Sequence, residues 1–225
     1  MISLRLWPLG PSLDHRQRRA AGAKATLRHV SEILQQTMDP RQFFTDSLGT
    51  PLLDGGLASL SRSYSTAWMA TVVGPPSLRL GVDIEPSNRA LPGGFLSEHE
   101  EAAWSNEDSS PPRIAAACLK EACGKALGFG LLARWDVYTC AAPQKVGPAS
   151  WQVEFPAFPM VRTGTAVTKD GSLVVAIAAA SMRPALGEPQ ITSTLGWVGE
   201  LDLIHSRDVV VRSSDQSKMS KTTQA

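Results

Sequence analysis

The chain has 225 residues, enough to bury a core as one compact domain or as two small lobes. Its formal net charge of +1 excludes the strongly basic surface of a general nucleic-acid binder. The longest apolar run, 173–180, is too short to cross a bilayer, and no signal peptide is recognisable. The 3 cysteines lack metal-site spacing, so we expect reduced, buried thiols in a cytoplasmic protein without a membrane partner.

The first third of the chain predicts a strand, a basic helix and a further strand. Alternating residues at 1–7 favour an opening strand. Residues 15–36 predict a helix with Leu27, Val30, Ile33 and Leu34 as its buried stripe. Its basic residues are explained by a solvated face unless a ligand is found for them. Residues 67–73 predict a strand, and the polar Ser61-Arg62 before it, taken alone, predict a turn.

The strand predicted at 79–86 carries two carboxylates on one face. Side chains alternate across a strand, so Asp83 and Glu85 point away from Leu80, Val82 and Ile84. Two neighbouring carboxylates repel each other unless a cation lies between them, and Mg²⁺ accepts this kind of oxygen site. The alternative is the solvated edge of a sheet.

Two helices are predicted next. Ser97 and Glu100 form a capping box that opens a short helix ending at Trp104. Residues 112–127 predict a buried helix that stops at Gly128 and Gly130. Glu121 and Lys125 lie four residues apart on this helix and share a face, in the order that favours an ion pair. Taken alone, the pair is also compatible with an ordinary surface salt bridge.

The remaining residues predict strands and a polar tail. Strands are expected at 134–140, 151–155, 161–168 and 172–180, with Lys-Asp-Gly at 169–171 as a hairpin turn. Short strands are also compatible with 201–204 and 208–212. The tail 183–225 is expected to be partly disordered, because residues 213–225 are polar and lack large aliphatic side chains.

Two motifs together resemble the 4′-phosphopantetheinyl transferases, in the larger two-lobed class that activates peptide and polyketide synthetases. They are Gly-Val-Asp-Ile-Glu at 81–85 and Ala-Cys-Leu-Lys-Glu-Ala-Cys-Gly-Lys at 117–125. The resemblance covers about residues 15–180. It implies an α+β fold of two pseudo-symmetric lobes, each with a small antiparallel sheet packed against a long helix. The lobes would be residues 1–80 and 81–182, followed by the tail 183–225.

Three positions depart from the family pattern. Thr50 stands where the family has a lysine that faces phosphate, and Arg62 stands where it has the histidine of Ser-His-Ser. Arginine keeps a positive charge and can bind phosphate through two hydrogen bonds. Ala117 replaces an aromatic residue at the start of the second motif. These changes bear on activity, because small displacements at a catalytic site are costly in rate.

The resemblance implies transfer of phosphopantetheine from coenzyme A to a serine of an acyl- or peptidyl-carrier protein, with Mg²⁺ as cofactor. The metal ligands would be Asp83, Glu85 and Glu121. Glu121 or a metal-bound water would be the base, and Lys125 with Lys120 would stabilise the leaving phosphate. Coenzyme A would contact Ser61 and Arg62, with Arg18, Lys24 and Arg28 as candidates. Because Lys125 shares a face with Glu121, we expect it to lower the pKa of that carboxyl, which favours ligand over base.

Two alternatives remain open at this point. One is a catalytically weakened relative that binds coenzyme A or a carrier domain, although a pure binder has no need of three carboxylates. The other is an unrelated Mg²⁺-dependent phosphotransferase. For the transferase we expect a monomer.

Overall fold

The computed structural model describes residues 2–10, 12–47, 49–91, 93–105, 111–130, 134–181 and 209–211. Within these ranges the protein is a mixed α+β structure with three α-helices and three antiparallel sheets. The helices are α1 (His15–Leu34), α2 (Glu98–Trp104) and α3 (Ile114–Leu127). The strands are β1 (Ile2–Pro8), β2 (Phe43–Thr45), β3 (Pro51–Leu53), β4 (Ser59–Tyr64), β5 (Trp68–Gly74), β6 (Leu78–Pro86), β7 (Gln144–Gly147), β8 (Ser150–Val153), β9 (Val161–Val167), β10 (Leu173–Ser181) and β11 (Val209–Val211).

The strands form two larger sheets and one hairpin. The first sheet has the order β11-β1-β5-β4, and the second has the order β6-β10-β9-β8-β7. Within the described residues, strands β2 and β3 form a separate two-stranded sheet. In the second sheet β6 lies at the edge and pairs with β10 over its whole length, with Asp83 opposite Ala176. This long pairing fixes which face of β6 each of its side chains occupies.

Alternate residues of the strands build the apolar core. One cluster contains residues of both larger sheets, from β1 and β5 on one side and from β6 and β10 on the other. A second cluster joins α3 to the opposite face of the second sheet, and a third joins α1 to β4 and β5. The two sheets therefore share a core, and β6 presents one face to this core and the other to α3.

Local sequence explains where the two long helices begin and end. Asp14 caps α1: its carboxylate accepts from the backbone N–H of Gln17 at 2.8 Å, and the Gln17 side chain accepts from the Asp14 N–H at 3.0 Å. Helix α3 ends at Gly128, whose φ of +82° is left-handed. Glycine adopts this conformation without steric cost, so the predicted stop signal is confirmed.

Most of the predicted elements are confirmed, but the strand predicted at 134–140 is wrong. The chain forms a short 3₁₀ helix there, Trp135–Tyr138. Tyr138 is buried and packs against Phe158, so tertiary packing outweighs the strand preference of this segment. Strand β4 had not been predicted, because its polar Ser61-Arg62, taken alone, favours a turn. Strand β7 had not been predicted either, because its polar sequence Gln-Lys-Val-Gly carries no clear alternation.

Three other expectations concern the tail, the cysteines and the membrane. Val209–Val211 forms a strand on β1, as the pattern at 208–212 indicated, whereas 201–204 and the rest of the tail from 182 lie outside the described residues. All three cysteines are buried free thiols. Among the described helices, none has the length and apolar character needed to span a bilayer. The two-lobed, pseudo-symmetric arrangement stays a prediction.

Candidate active site

Strand β6 and helix α3 approach each other closely at Gly81. A Cβ atom at this position would overlap the backbone carbonyl oxygen of Ala122 in α3. Glycine is therefore required by packing, and it lets the helix lie directly on the strand. The two following positions on the same face of the strand are Asp83 and Glu85, so the contact brings both carboxylates next to the helix residues of the second motif.

The ammonium group of Lys125 joins the two motifs. It donates to the carbonyl oxygen of Val82 at 2.9 Å and to Asp83 Oδ1 at 3.0 Å. Its ion pair with Glu121 Oε1 measures 3.1 Å. Asp83 is only 3% exposed, and its Oδ1 also accepts a hydrogen bond from Ser63 Oγ at 2.6 Å. One carboxylate from β6 and one from α3 thus converge on a single cation.

The electrostatics of Glu121 differ from the expectation. Burial raises the pKa of the Glu121 carboxyl, and the nearby Asp83 carboxylate adds to that rise against the opposing charge of Lys125. Burial lowers the pKa of the Lys125 ammonium, but Asp83 and Glu121 outweigh burial and the net change is a rise. The expected lowering of the Glu121 pKa is wrong, because burial and a second carboxylate outweigh one ion pair. The preference for ligand over base loses that support.

Glu85 and Cys118 complete this region. The Glu85 carboxylate forms an ion pair with Arg89, four residues further on. Cys118 is fully buried, and burial together with the charges of Asp83 and Glu85 raises the pKa of its thiol well above the usual value. The thiol is therefore protonated at neutral pH.

The carboxylates of Asp83, Glu85 and Glu121 are the candidate ligands for a magnesium ion. Among the described residues, no group of three or more His, Cys, Asp or Glu side chains is arranged to hold a metal. Mg²⁺ is, however, usually bound by one or two carboxylates together with substrate phosphates. Asp83 and Glu121 meet this requirement, since both already contact one cation, Lys125. Glu85 lies on the same strand face and would join them only after leaving Arg89.

A cleft of about 420 Å³ opens beside Lys125. The β2–β3 connection contributes Thr50 to one side, and Glu121 and Lys125 line the other. A neighbouring hollow shares Glu121 and Lys125 and is lined on its other side by basic and polar residues: His15, Arg18, Arg19, Arg62, Ser63 and Tyr64. Together these concave surfaces, called here the central cleft, bring one carboxylate, that of Glu121, and the ammonium of Lys125 together with arginines. Asp83 and Glu85 are not among the residues that line the cleft; Asp83 lies behind Lys125, with which it pairs.

Arg62 is half-buried in the wall of the central cleft. Its Nη2 donates to Thr45 Oγ1 at 3.1 Å, and the guanidinium lies over the rings of Phe43 and Tyr64. Its Nη1 is buried without a hydrogen-bond partner among the described residues. Burial lowers the pKa of Arg62, and the positive charge of Arg19 contributes to the lowering. Arg62 therefore lines the cleft with a buried donor that has no partner among the described residues.

The three basic residues singled out on α1 lie in different surroundings. Arg18 lines the central cleft, but its guanidinium donates to two backbone carbonyls in the β4–β5 turn. Arg28 pairs with Glu32 at 2.8 Å and lies over the ring of Trp7. Lys24 is exposed. Neither Arg28 nor Lys24 lines the cleft, so any contact of theirs with coenzyme A stays a prediction.

Arg19 and Ser63 are among the cleft residues that had not been chosen from the sequence. Arg19 lines the cleft beside Arg62. The available signal was helical spacing: Arg19 lies one turn before Gly22, the small residue against which Tyr64 packs. Ser63 contacts Asp83 directly, and its signal was its position two residues after Ser61 on a strand.

Lys120, predicted to act on phosphate, lies elsewhere. Its ammonium is fully buried and pairs with Glu100 Oε1 at 2.8 Å. It also donates to the carbonyl oxygens of Phe95 and Trp135, each at 3.3 Å. Lys120 is not among the residues that line the central cleft. These contacts hold the loop before α2 and the 3₁₀ helix against α3.

The remaining positions of interest serve the frame of the site. Ser61 lines the cleft, and its Oγ accepts a hydrogen bond from the backbone N–H of Val82 at 3.1 Å. Thr50 also lines the cleft, and its backbone N–H donates to Asp46 Oδ1 at 2.8 Å. Ala117 is half-buried and packs against the cluster between α3 and the second sheet.

Comparison with known proteins adds no family assignment. No protein-family model matches the chain, and no curated protein matches it. The resemblance to the phosphopantetheinyl transferases therefore rests on the two motifs, and the function has to be argued from the central cleft.

Proposed function

We propose that the protein is a magnesium-dependent 4′-phosphopantetheinyl transferase, which transfers phosphopantetheine from coenzyme A to a serine of an acyl- or peptidyl-carrier protein. The observation that supports this most is that Asp83 and Glu121 both contact Lys125, while Glu121 and Lys125 line a cleft together with Arg62. A pyrophosphate with its counter-ion requires such a combination of carboxylates and cations.

The charges of the cleft suit a pyrophosphate substrate. The Nη1 of Arg62 is buried and has no partner among the described residues, so a small rotation of the side chain would let it reach a phosphate oxygen, and Arg19 adds positive charge beside it. Lys125 is close enough to the carboxylates to hold a phosphate next to them. Asp83 and Glu121, joined by Glu85, would hold Mg²⁺, which supplies neutralisation of the pyrophosphate charge.

The reaction transfers one phosphoryl group. The carrier serine Oγ forms a bond to the phosphorus next to pantetheine, while the bond from that phosphorus to the bridging oxygen breaks. Adenosine 3′,5′-bisphosphate leaves with the bonding electrons, and Lys125 stabilises its new negative charge. The serine proton goes to a base, for which Glu121 is placed in the cleft, so that this residue carries both the ligand and the base role. Lys120 positions α3 and does not contact substrate.

The finer features of the family belong to the same proposal. The two lobes would be residues 1–80 and 81–182, with the cleft between β4 of the first and β6 and α3 of the second. The protein would act as a cytoplasmic monomer that meets its carrier domain transiently.

The test is direct transfer. The protein is incubated with coenzyme A, Mg²⁺ and a panel of apo-carrier domains, and mass spectrometry is used to detect the added phosphopantetheine. Asp83→Ala is expected to stop transfer and keep the fold. Asp136→Ala, which removes an exposed aspartate paired with Arg134, is the matched control and keeps full activity. No transfer to any carrier, or near-normal transfer by Asp83→Ala, would contradict the proposal.

A binding protein without transferase activity is the second candidate. The ion pair between Glu85 and Arg89 favours it, because it withdraws one of the three carboxylates. In that case calorimetry would show coenzyme A binding that does not depend on Mg²⁺, and no carrier would gain mass. Thermal protection by another nucleotide with Mg²⁺, but not by coenzyme A, would instead indicate a different phosphotransferase.

A further inference from the structure

We infer that Ser63 is a positioning residue that holds the Asp83 carboxylate in the orientation needed to bind the magnesium ion. The inference rests on the proposed function, since it assigns a role towards the same ion. It concerns a side chain of β4, which lies outside both motifs.

The hydrogen bond between Ser63 and Asp83 is short and lies between two buried side chains, as expected of a group that orients a carboxylate. Ser63 Oγ donates to Asp83 Oδ1 at 2.6 Å, and both residues are buried. The backbone of Ser63 is fixed by its pairing with Ala70 of β5. A buried carboxylate needs hydrogen-bond donors to remain ionised, and a charged acceptor makes such a bond short and strong.

Lys125 cannot take over this role. Its ammonium is shared among the Val82 carbonyl, Asp83 and Glu121, at 2.9, 3.0 and 3.1 Å. In the proposed reaction it also turns to a phosphate oxygen, which weakens its contact with Asp83. The hydroxyl of Ser63 contacts no substrate group in the proposed reaction, so its hydrogen bond to Asp83 is kept throughout.

The neighbouring serine on the same strand face supports this assignment. Ser61 and Ser63 are two residues apart, so both point towards β6. Ser61 Oγ accepts from the backbone N–H of Val82, whereas Ser63 donates to the side chain of the next residue. The two serines thus fix the backbone and the carboxylate of β6, and only the second acts on a proposed metal ligand.

The experiment compares the Mg²⁺ concentration that gives half-maximal transfer in the parent, Ser63→Ala and Ser63→Thr. Loss of a group that orients a metal ligand usually costs about 10–100-fold in metal affinity or activity, so Ser63→Ala is expected to raise this concentration about tenfold or more. Ser63→Thr keeps the hydroxyl and stays near the parent. The matched control is Ser65→Ala, because Ser65 is also buried but its Oγ has no partner among the described residues.

Mg²⁺ binding in the presence of coenzyme A is also measured by calorimetry, as a readout independent of turnover. A Ser63→Ala protein that melts earlier but binds Mg²⁺ like the parent would overturn the inference and leave the proposed function intact. If Ser63→Ala does not fold, Ser63→Cys keeps the volume with a weaker donor and is expected to fall between the parent and full loss. A parent protein that neither binds Mg²⁺ nor transfers would overturn the proposed function together with this inference.

Discussion

Two lysines on α3, five residues apart, show how differently an ion pair can be used. Lys120 faces one carboxylate, Glu100, and both side chains are essentially excluded from water, at 0% and 1% exposure. Lys125 faces two carboxylates, Asp83 and Glu121, and the lysine and Glu121 remain 21% and 24% exposed. The first group is balanced in charge and closed, whereas the second has an excess negative charge and opens onto a cleft.

The pKa values of Glu100 and Glu121 shift in opposite directions, in line with this difference in charge balance. Burial alone would raise the pKa of Glu100, but hydrogen bonds from Lys120, Ser97 and Cys140 lower it to about 2. The pKa of Glu121 moves the other way, since burial and Asp83 raise it. A balanced pair inside the protein is a structural feature, while an unbalanced one at a cleft can accept a further cation.

Removing the carboxylate of each group should separate the two roles most strongly. Glu121→Gln is expected to reduce turnover by about two to four orders of magnitude, the usual contribution of a positioned general base. If Glu121 acts mainly as a metal ligand, excess Mg²⁺ should restore part of the rate. Glu100→Gln is the matched control, and its rate per folded molecule should stay near that of the parent. Equal losses of rate in both variants would contradict the distinction.

For stability the order should be the reverse of that for turnover: removing Lys120 should be more harmful than removing Lys125. Lys120→Met leaves Glu100 buried without its partner, which is expected to lower the free energy of unfolding by about 3–5 kcal/mol. Lys125→Met should cost less than Lys120→Met, because Glu121 is partly exposed and can take up a proton, while the buried Asp83 keeps its hydrogen bond from Ser63. Urea denaturation at pH 7 measures both. A Lys120→Met protein as stable as the parent would show that the buried pair of Lys120 and Glu100 does not stabilise the fold.

The pH dependence of stability should have opposite signs for the two glutamates. The low pKa of Glu100 gives a contribution that is present above pH 4.5 and lost as the pH falls towards 2, worth up to about 3 kcal/mol at 1.36 kcal/mol per pKa unit. The raised pKa of Glu121 gives a contribution that is present below pH 4.5 and lost as the pH rises through its folded value.

Denaturation of the two glutamine variants at several pH values checks these signs. At pH 7, Glu100→Gln should be less stable than the parent and Glu121→Gln more stable. Both differences should shrink below pH 4.5. A stabilising effect of Glu100→Gln at pH 7 would contradict the assignment.

The smallest effect concerns the competition between Lys125 and the metal. Both cations would use the carboxylates of Asp83 and Glu121, so Lys125→Met should bind Mg²⁺ about tenfold more tightly, or roughly 1.4 kcal/mol. Calorimetry without substrate measures this gain even though the variant is expected to be inactive. Lys120→Met, if folded, is the control and should show no change. Weaker Mg²⁺ binding by Lys125→Met would place the ion elsewhere.

Part of the arrangement of Asp83, Glu121 and Lys125 could be predicted from local periodicity. Alternation along β6 places Asp83 on one face, and the four-residue spacing on α3 places Glu121 beside Lys125. That the strand and the helix share a site was expected only from the resemblance of the two motifs to the transferase family.

The different fates of the two lysines could not be predicted, because they depend on residues distant in the chain. Lys120 is buried by carbonyl groups of Phe95 and Trp135 and by the carboxylate of Glu100. The segment around Trp135 had itself been predicted as a strand. The raised pKa of Glu121 likewise results from tertiary burial, which no spacing rule reports.

The close contact at Gly81 has a consequence for ion size. Because no side chain separates β6 from α3 there, the distance between the carboxylates of Asp83 and Glu121 is set by direct backbone packing. A methyl group at Gly81 would push the strand and helix apart and widen that distance. A wider site favours Ca²⁺, with ligand bonds of about 2.3–2.6 Å, over Mg²⁺, with bonds of about 2.0–2.1 Å. Under the proposed function, a glycine without any ligand atom thus helps to determine which divalent ion the protein accepts.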